Sequence, residues 1–230
     1  MNLIRFIDPD SKTQSYLIYS LNGHAVIIDP VYQECEKYLD KLKQLDLKLL
    51  YSLDTHIHAD HITGAAKLKR VTNCKIMMGK EANLSKVDVQ VADREELSFD
   101  NISLQAIYTP GHTIESYCYL INSRLFTGDC LLINACGRTD FQNGSAYQQY
   151  DSIFNKLLVF PDETLVYPGH DYNNRTVSTI LEERTNNPRL QVQDVKAFAN
   201  IMNNLNLPRP KLMDVAVPRN LNCGEEVESC

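Results

Sequence analysis

The run Thr55-His56-Ile57-His58-Ala59-Asp60-His61 puts four side chains able to bind a metal into six consecutive residues, 56–61. It also holds three of the six histidines in the protein. Crowding that many hydrated, titratable groups together costs desolvation and mutual repulsion unless a cation offsets it. A bound metal is the simplest reading. The flanks say where the run sits: residues 49–53 are apolar enough for a buried strand, and the apolar spacing over 62–71 predicts a helix. The cluster is therefore expected on a strand-to-helix turn. An ion needs donors converging from several directions, and further donors stand on similar turns. His112 and His170 each follow a Pro-Gly pair, in Thr109-Pro110-Gly111-His112 and Tyr167-Pro168-Gly169-His170. Asp129 follows Gly128 at the end of another predicted strand. His24, alone before an apolar stretch, reads as an ordinary satisfied histidine.

Along the chain, residues 3–7, 15–20 and 25–29 read as strands of a meander, with turns at Asp8-Pro9-Asp10 and Asn22-Gly23. Helical spacing over 34–45 predicts a covering helix. Strands follow at 74–78, 87–91 and 102–108, with acidic residues 93–96 as an exposed turn. A hairpin is expected from 116–121 and 124–127, and residues 131–144 are too polar and Gly-rich for a regular element. That stretch reads as a loop lining the site. A helix at 147–158, a strand at 164–167 and helices at 176–186 and 192–204 complete the regular structure, and the Pro- and Asn-rich tail from 208 is expected to be irregular. This order predicts an α/β (α+β) chain of two sheets, each covered outside by helices. With 230 residues, 43% of them hydrophobic, a single domain over 1–230 is the expectation.

The net charge of −6 argues against nucleic acid or an anionic membrane surface as partner. No apolar run approaches the roughly 18 residues of a membrane span, and the first residues lack the blocks of a signal peptide. A cytoplasmic protein is the expectation. The seven cysteines are spread without a Cys-x-x-Cys pair, which fits reduced thiols better than disulfides or a thiolate zinc site. Cys130 and Cys136 bracket the site loop. Cys136 is a candidate to face substrate, against the competing reading of a small buried hydrophobe.

His56, His58, Asp60, His61, His112, Asp129 and His170 form a nitrogen and oxygen donor set without thiolate, which suits catalytic zinc, iron or manganese. In that order, His-x-His-x-Asp-His, Gly-His-Thr, Gly-Asp and Gly-His resemble the metallo-β-lactamase superfamily. The resemblance implies an αββα sandwich with metal at one edge of the sheets. One branch implies a binuclear zinc thioester hydrolase of the glyoxalase II type. There His56, His58 and His112 would hold one ion, Asp60, His61 and His170 the other, and Asp129 would bridge.

Finer runs resemble a different branch, the persulfide dioxygenases: His56 to Gly64, Cys136-Gly137-Arg138-Thr139-Asp140-Phe141-Gln142, Glu182 to Leu190, and Asn204-Leu205-Asn206-Leu207-Pro208. This likeness implies one Fe(II) on a facial triad of His56, His112 and Asp129, with three positions left for water, O2 and a sulfur substrate. His58, Asp60, His61 and His170 would orient ligands or bound water. The implied reaction oxidises the terminal sulfur of glutathione persulfide with O2 to sulfite and glutathione. Glutathione carries carboxylates, so Arg138 and Arg189 are the candidate cations for it, and Tyr172 a candidate donor to the persulfide. The resemblance also suggests a homodimer and, since no rhodanese-like domain is seen, a separate rhodanese-type sulfurtransferase.

Overall fold

The computed structural model describes residues 1–172 and 175–226. The chain forms two compact units, the first from Met1–Val91, Ser98–Ser103 and the chain from Arg209 onward, the second from Ala92–Leu97 and Leu104–Pro208.

The first unit is built on a six-stranded sheet whose spatial order follows the sequence: β1 (Asn2–Ile7), β2 (Gln14–Tyr19), β3 (His24–Ile28), β4 (Lys48–Leu53), β5 (Lys75–Gly79) and β6 (Val89–Val91). β1, β2 and β3 pair antiparallel as the expected meander, and β3 to β6 run parallel. Ala25 to Ile28 of β3 are all buried, as a strand covered on both faces requires. Helix α1 (Cys35–Gln44) makes the crossover from β3 to β4 and buries Cys35, Tyr38 and Leu42, one stripe at helical spacing, against Leu17, Ala25, Ile27 and Leu49. Helix α2 (Ala65–Thr72) starts three residues later than the apolar spacing suggests. Residues 62–64 are instead drawn into pairing with the loop after β3: Tyr32 N–H donates to the Ile62 carbonyl and Gly64 N–H to that of Pro30. α2 ends on Asn73 in the left-handed region, an ordinary helix stop.

The second sheet is also six-stranded. In chain order its strands are β7 (Glu96–Phe99), β8 (Ile102–Tyr108), β9 (Tyr117–Ile121), β10 (Arg124–Gly128), β11 (Leu165–Pro168) and β12 (Ser178–Thr179), and they lie side by side in that order. β8, β9 and β10 are antiparallel neighbours, while β10 and β11 run parallel. The crossover between them carries α3 (Ala146–Asp151), capped by Ser145 and continued by a π-wound turn over Ser152–Leu157. After β12 comes α4 (Ile180–Asn186), whose start is set by the Thr179 hydroxyl accepting from Glu182 N–H. α5 (Val195–Asn203) is capped by Asp194 and buries Phe198, Ala199 and Met202 in the core of this unit, beside the stacked Tyr150 and Phe154.

Three elements differ from expectation. β7 was not predicted: it begins at the last residue of the acidic turn, which is present at Asp93-Arg94, and its half-buried Leu97 and Phe99 alternate with exposed Glu96 and Ser98. β12 takes the first turn of a predicted helix, since the Thr179 cap delays α4. The tail predicted as irregular contains α6 (Met213–Asn220), despite Pro218 inside it. The helix is held by tertiary bonds rather than by an apolar stripe, so periodicity misses it. Among the described residues no helix is long and apolar enough to cross a membrane.

Candidate metal centre

Every predicted donor lies just beyond the carboxyl end of a strand. In the first unit, β3 runs into Asp29 and β4 into the 55–61 turn. Asp29 adopts φ +49°, a left-handed backbone that an aspartate accepts only at a cost. In that position its carboxylate accepts from Thr55 N–H at 2.7 Å and from the Thr55 hydroxyl at 2.9 Å. The single hydroxyl proton of Thr55 is thereby committed to Asp29, so its oxygen accepts from His56 Nδ1–H, 2.9 Å away. The lone pair of the neutral His56 ring then sits on Nε2.

His58 lies with Nε2 at 3.2 Å from Asp29 and 3.7 Å from Asp54. Burial works to lower its pKa, but the Asp29 carboxylate, with Asp54 and Asp60 behind it, pushes it up to about 9. Burial raises Asp54 to about 7, with Asp29 adding to the rise and His58 and the Thr63 hydroxyl opposing it. His61 Nδ1 faces Asp60 at 3.0 Å and Thr13 Oγ1 at 3.1 Å, and the Thr13 hydroxyl donates to Asp60 at 2.8 Å. Burial holds the His61 imidazole below its ordinary pKa. His58 Nδ1 and His61 Nε2 are buried with no hydrogen-bond partner, which is what ring nitrogens turned toward an ion look like. The turn is closed from α6, where the buried Asn220 amide donates to the carbonyls of His58 and His61, both at 2.8 Å, and accepts from Thr63 N–H at 2.9 Å.

In the second unit, parallel β10 and β11 pair Gly128 with Pro168, so the residues that follow emerge side by side. His170 Nδ1 donates to Asp129 Oδ1 at 2.7 Å, and Asp129 Oδ2 lies 3.7 Å from His112 Nε2. His112 Nδ1 donates to the Arg138 carbonyl at 2.7 Å, which places its lone pair on Nε2, facing the carboxylate. Two glycines are required by close approach. A Cβ on Gly169 would stand 2.7 Å from Asp129 Oδ1, and one on Gly137 would stand 2.2 Å from the Asp129 carbonyl and 2.8 Å from His112 Nδ1.

The loop carrying Gly137 is gripped residue by residue. Glu183 accepts from Asn134 N–H, Asn187 donates to the Ala135 carbonyl, Arg189 to that of Cys136, Gln149 to that of Gly137, and His112 to that of Arg138. The substrate candidates on this loop therefore have other duties. Arg138 makes a bidentate pair with Asp140 at 2.6 and 2.7 Å, donates to the Leu207 and Pro208 carbonyls, and lies over the Phe141 ring. A substrate carboxylate would have to displace Asp140 to reach it. Arg189 donates through Nη1 to the Cys136 carbonyl. Cys136 is 2% exposed, its thiol against Met202 and Arg189 and pushed up to about 11 by burial, so it is a small core residue rather than a thiol facing substrate. Tyr172, by contrast, is 70% exposed and stacks on His170 with ring centroids 6.0 Å apart. His24 pairs with Asp100 at 2.9 Å and plays no part in the centre.

Asp29, Asp54, Thr13, Asn220 and Gln149 were missed from sequence. Only Asp29, a carboxylate at the end of an apolar strand before a proline, carried a signal that could have found it. Among the described residues, His58 with Asp60 and His61, and Asp29 with Asp54 and His58, could each hold an ion within the first unit, and His112 faces Asp129 in the second. All offer imidazole nitrogen and carboxylate oxygen, a set that fits a catalytic metal cofactor.

Comparison with known proteins agrees. A family profile described as the Metallo-beta-lactamase superfamily matches residues 9–170. "Persulfide dioxygenase ETHE1, mitochondrial" of Mus musculus is 41% identical over 226 residues, 96% of this chain and 88% of its own length. The crystal structure of ETHE1 from Myxococcus xanthus matches with a TM-score of 0.95 at 46% identity, covering 98% of this chain and 100% of that one. A "Hydroxyacylglutathione hydrolase" of Pseudoalteromonas translucida is 36% identical over 177 residues, 76% of this chain and 66% of its own. The chain thus has the metallo-β-lactamase fold, and it belongs to the metallo-β-lactamase superfamily and, within it, to the persulfide dioxygenase family.

Proposed function

We propose that this chain is an Fe(II)-dependent persulfide dioxygenase, with His56, His112 and Asp129 holding one iron and glutathione persulfide as substrate. The observation that carries this reading is likeness to a persulfide dioxygenase over 96% of the chain, against 76% for the hydrolase. The balanced reaction consumes one O2 and one water per persulfide and yields sulfite and the thiol. The terminal sulfur gives up four electrons and O2 accepts four. When bound, iron supplies the redox chemistry that lets O2 react with a closed-shell sulfur compound.

The chain's own residues do the positioning. The Asp29–Thr55 pair and the Arg138 carbonyl each hold the Nδ1 proton of a ligand histidine, which fixes ring orientation and keeps Nε2 as the donor. His170 fastens Asp129 Oδ1, leaving Oδ2 turned toward His112. His58, Asp60 and His61 form a hydrogen-bonded polar wall with Thr13 and Asp29. Tyr172, exposed beside His170, is the side chain we assign to the persulfide arm.

A binuclear thioester hydrolase is the second reading, favoured by the two buried ring nitrogens of His58 and His61 that have no partner. Anaerobic purification, metal analysis and an oxygen electrode separate the two. About one iron per chain and O2 uptake on adding glutathione persulfide support the first. Two zinc ions per chain with hydrolysis of S-lactoylglutathione and no O2 uptake overturn it. A homodimer rests on the family likeness alone and is read by sedimentation.

A further inference from the structure

Gln149 lies on α3 and is 0% exposed. Its Nε2 group donates to the Cys130 carbonyl at 3.0 Å and to the Gly137 carbonyl at 3.1 Å. Its Oε1 is buried with no hydrogen-bond partner. A residue there only to fill the core would be apolar, because burying an unpaired amide oxygen is unfavourable. The side chain is therefore kept for its two donations. Both partners are acceptors, and an amide NH2 is the neutral group with two protons to give.

The two carbonyls are not arbitrary. Cys130 follows Asp129, and Gly137 precedes Arg138, whose carbonyl takes the Nδ1 proton of His112. Gly137 N–H also donates to the Asp129 carbonyl at 2.7 Å, so Gln149 closes a small ring of bonds around the backbone of both donors. The Gln149 main chain adds a further contact: a Cβ on Gly111, the residue before His112, would stand 2.3 Å from Gln149 Cα. One residue thus touches the supports of His112 from two sides and that of Asp129 from a third.

We propose that Gln149 is a positioning residue of the metal centre, setting the separation of His112 Nε2 and Asp129 Oδ2 through the Gly137 and Cys130 carbonyls. The inference rests on the reading of His112 and Asp129 as ligands. It acts on metal retention and turnover, and leaves substrate affinity alone, since Gln149 is sealed from solvent.

The test uses the iron-loaded enzyme and four variants. Q149M keeps length but gives no proton, and Q149E keeps shape but sets an acceptor against two carbonyls. F198L thins the same core without touching either carbonyl. H112A checks the ligand reading itself. Iron loss to a chelator, denaturant midpoint, kcat and KM are measured for each. Removing an outer support of a metal ligand typically weakens metal affinity about 10–100-fold. Q149M and Q149E are expected to lose iron in that range and to drop in kcat with KM unchanged, while F198L, at a similar loss of stability, retains iron. If Q149M does not fold, Q149E decides. Iron retention by a folded Gln149 variant equal to that of F198L overturns the proposal. Full iron retention by H112A would overturn the ligand reading instead, which keeps the two failures apart.

Discussion

Asn220 offers the sharpest perturbation of the histidine turn. Its carboxamide supplies three hydrogen bonds to main chain, with the His58 and His61 carbonyls and with Thr63 N–H, and only 4% of the residue is exposed. In Asn220→Ala all three backbone groups lose their partner. A buried main-chain group left unpaired costs about 1–3 kcal/mol, so three set a range of roughly 3–9 kcal/mol. Water entering the space vacated by the amide can satisfy some of them, which puts the expected loss near the lower end, about 3 kcal/mol. For a chain of this size that is a drop in Tm of roughly 6–12 °C. Thermal and urea melts of metal-free protein measure the turn without the added stability that a bound ion confers. Asn220→Asp is the companion. It keeps an acceptor for Thr63 N–H but turns a carboxylate oxygen toward two carbonyls, so it is expected to be at least as damaging at neutral pH. A loss below about 1 kcal/mol in Asn220→Ala, or wild-type stability in Asn220→Asp, would refute the reasoning.

Other outcomes follow from the same geometry. Asp29→Asn keeps the shape of the side chain but removes the charge facing His58 and sets an NH2 against donors, so iron affinity is expected to fall about 10–100-fold with the fold retained; unchanged retention against a chelator would count against it. Arg138→Lys cannot reproduce the bidentate bond to Asp140 together with the bonds to the 207 and 208 carbonyls. Loss of stability and kcat is expected, and a rise in KM alone would return Arg138 to substrate binding. With its thiol pushed up to about 11, Cys136 should resist alkylation in the native protein at pH 8 and react on unfolding. Because that folded pKa lies above the unfolded one, its contribution to stability is complete below about pH 8.5 and is lost as pH rises through about 11. Native labelling at the rate of a free thiol would show the burial to be wrong.

Much of this was readable in the residues because donors and strands carry local signals. The meander, the parallel strands and each Pro-Gly or Gly-Asp turn announce themselves through alternation and turn chemistry. What stayed hidden depends on distant partners. Gln148 and Gln149 are adjacent and chemically identical, yet one only donates its backbone N–H to the Ser145 cap and the other is fully buried on two carbonyls. Arg138 invites a substrate role by its place in the loop, and its tie to Asp140 is visible two residues on. Its bonds to the 207 and 208 carbonyls are not. α6 escaped because Pro218 and a weak apolar pattern argue against a helix, while the bonds of Asn220 that hold it come from the far end of the chain.

That distance has a consequence for biosynthesis. His58 is translated 162 residues before the amide that caps its carbonyl. A nascent chain therefore carries its histidine cluster uncapped until Asn220 has been made. Nascent chains that stop short of Asn220 should hold an ion only loosely.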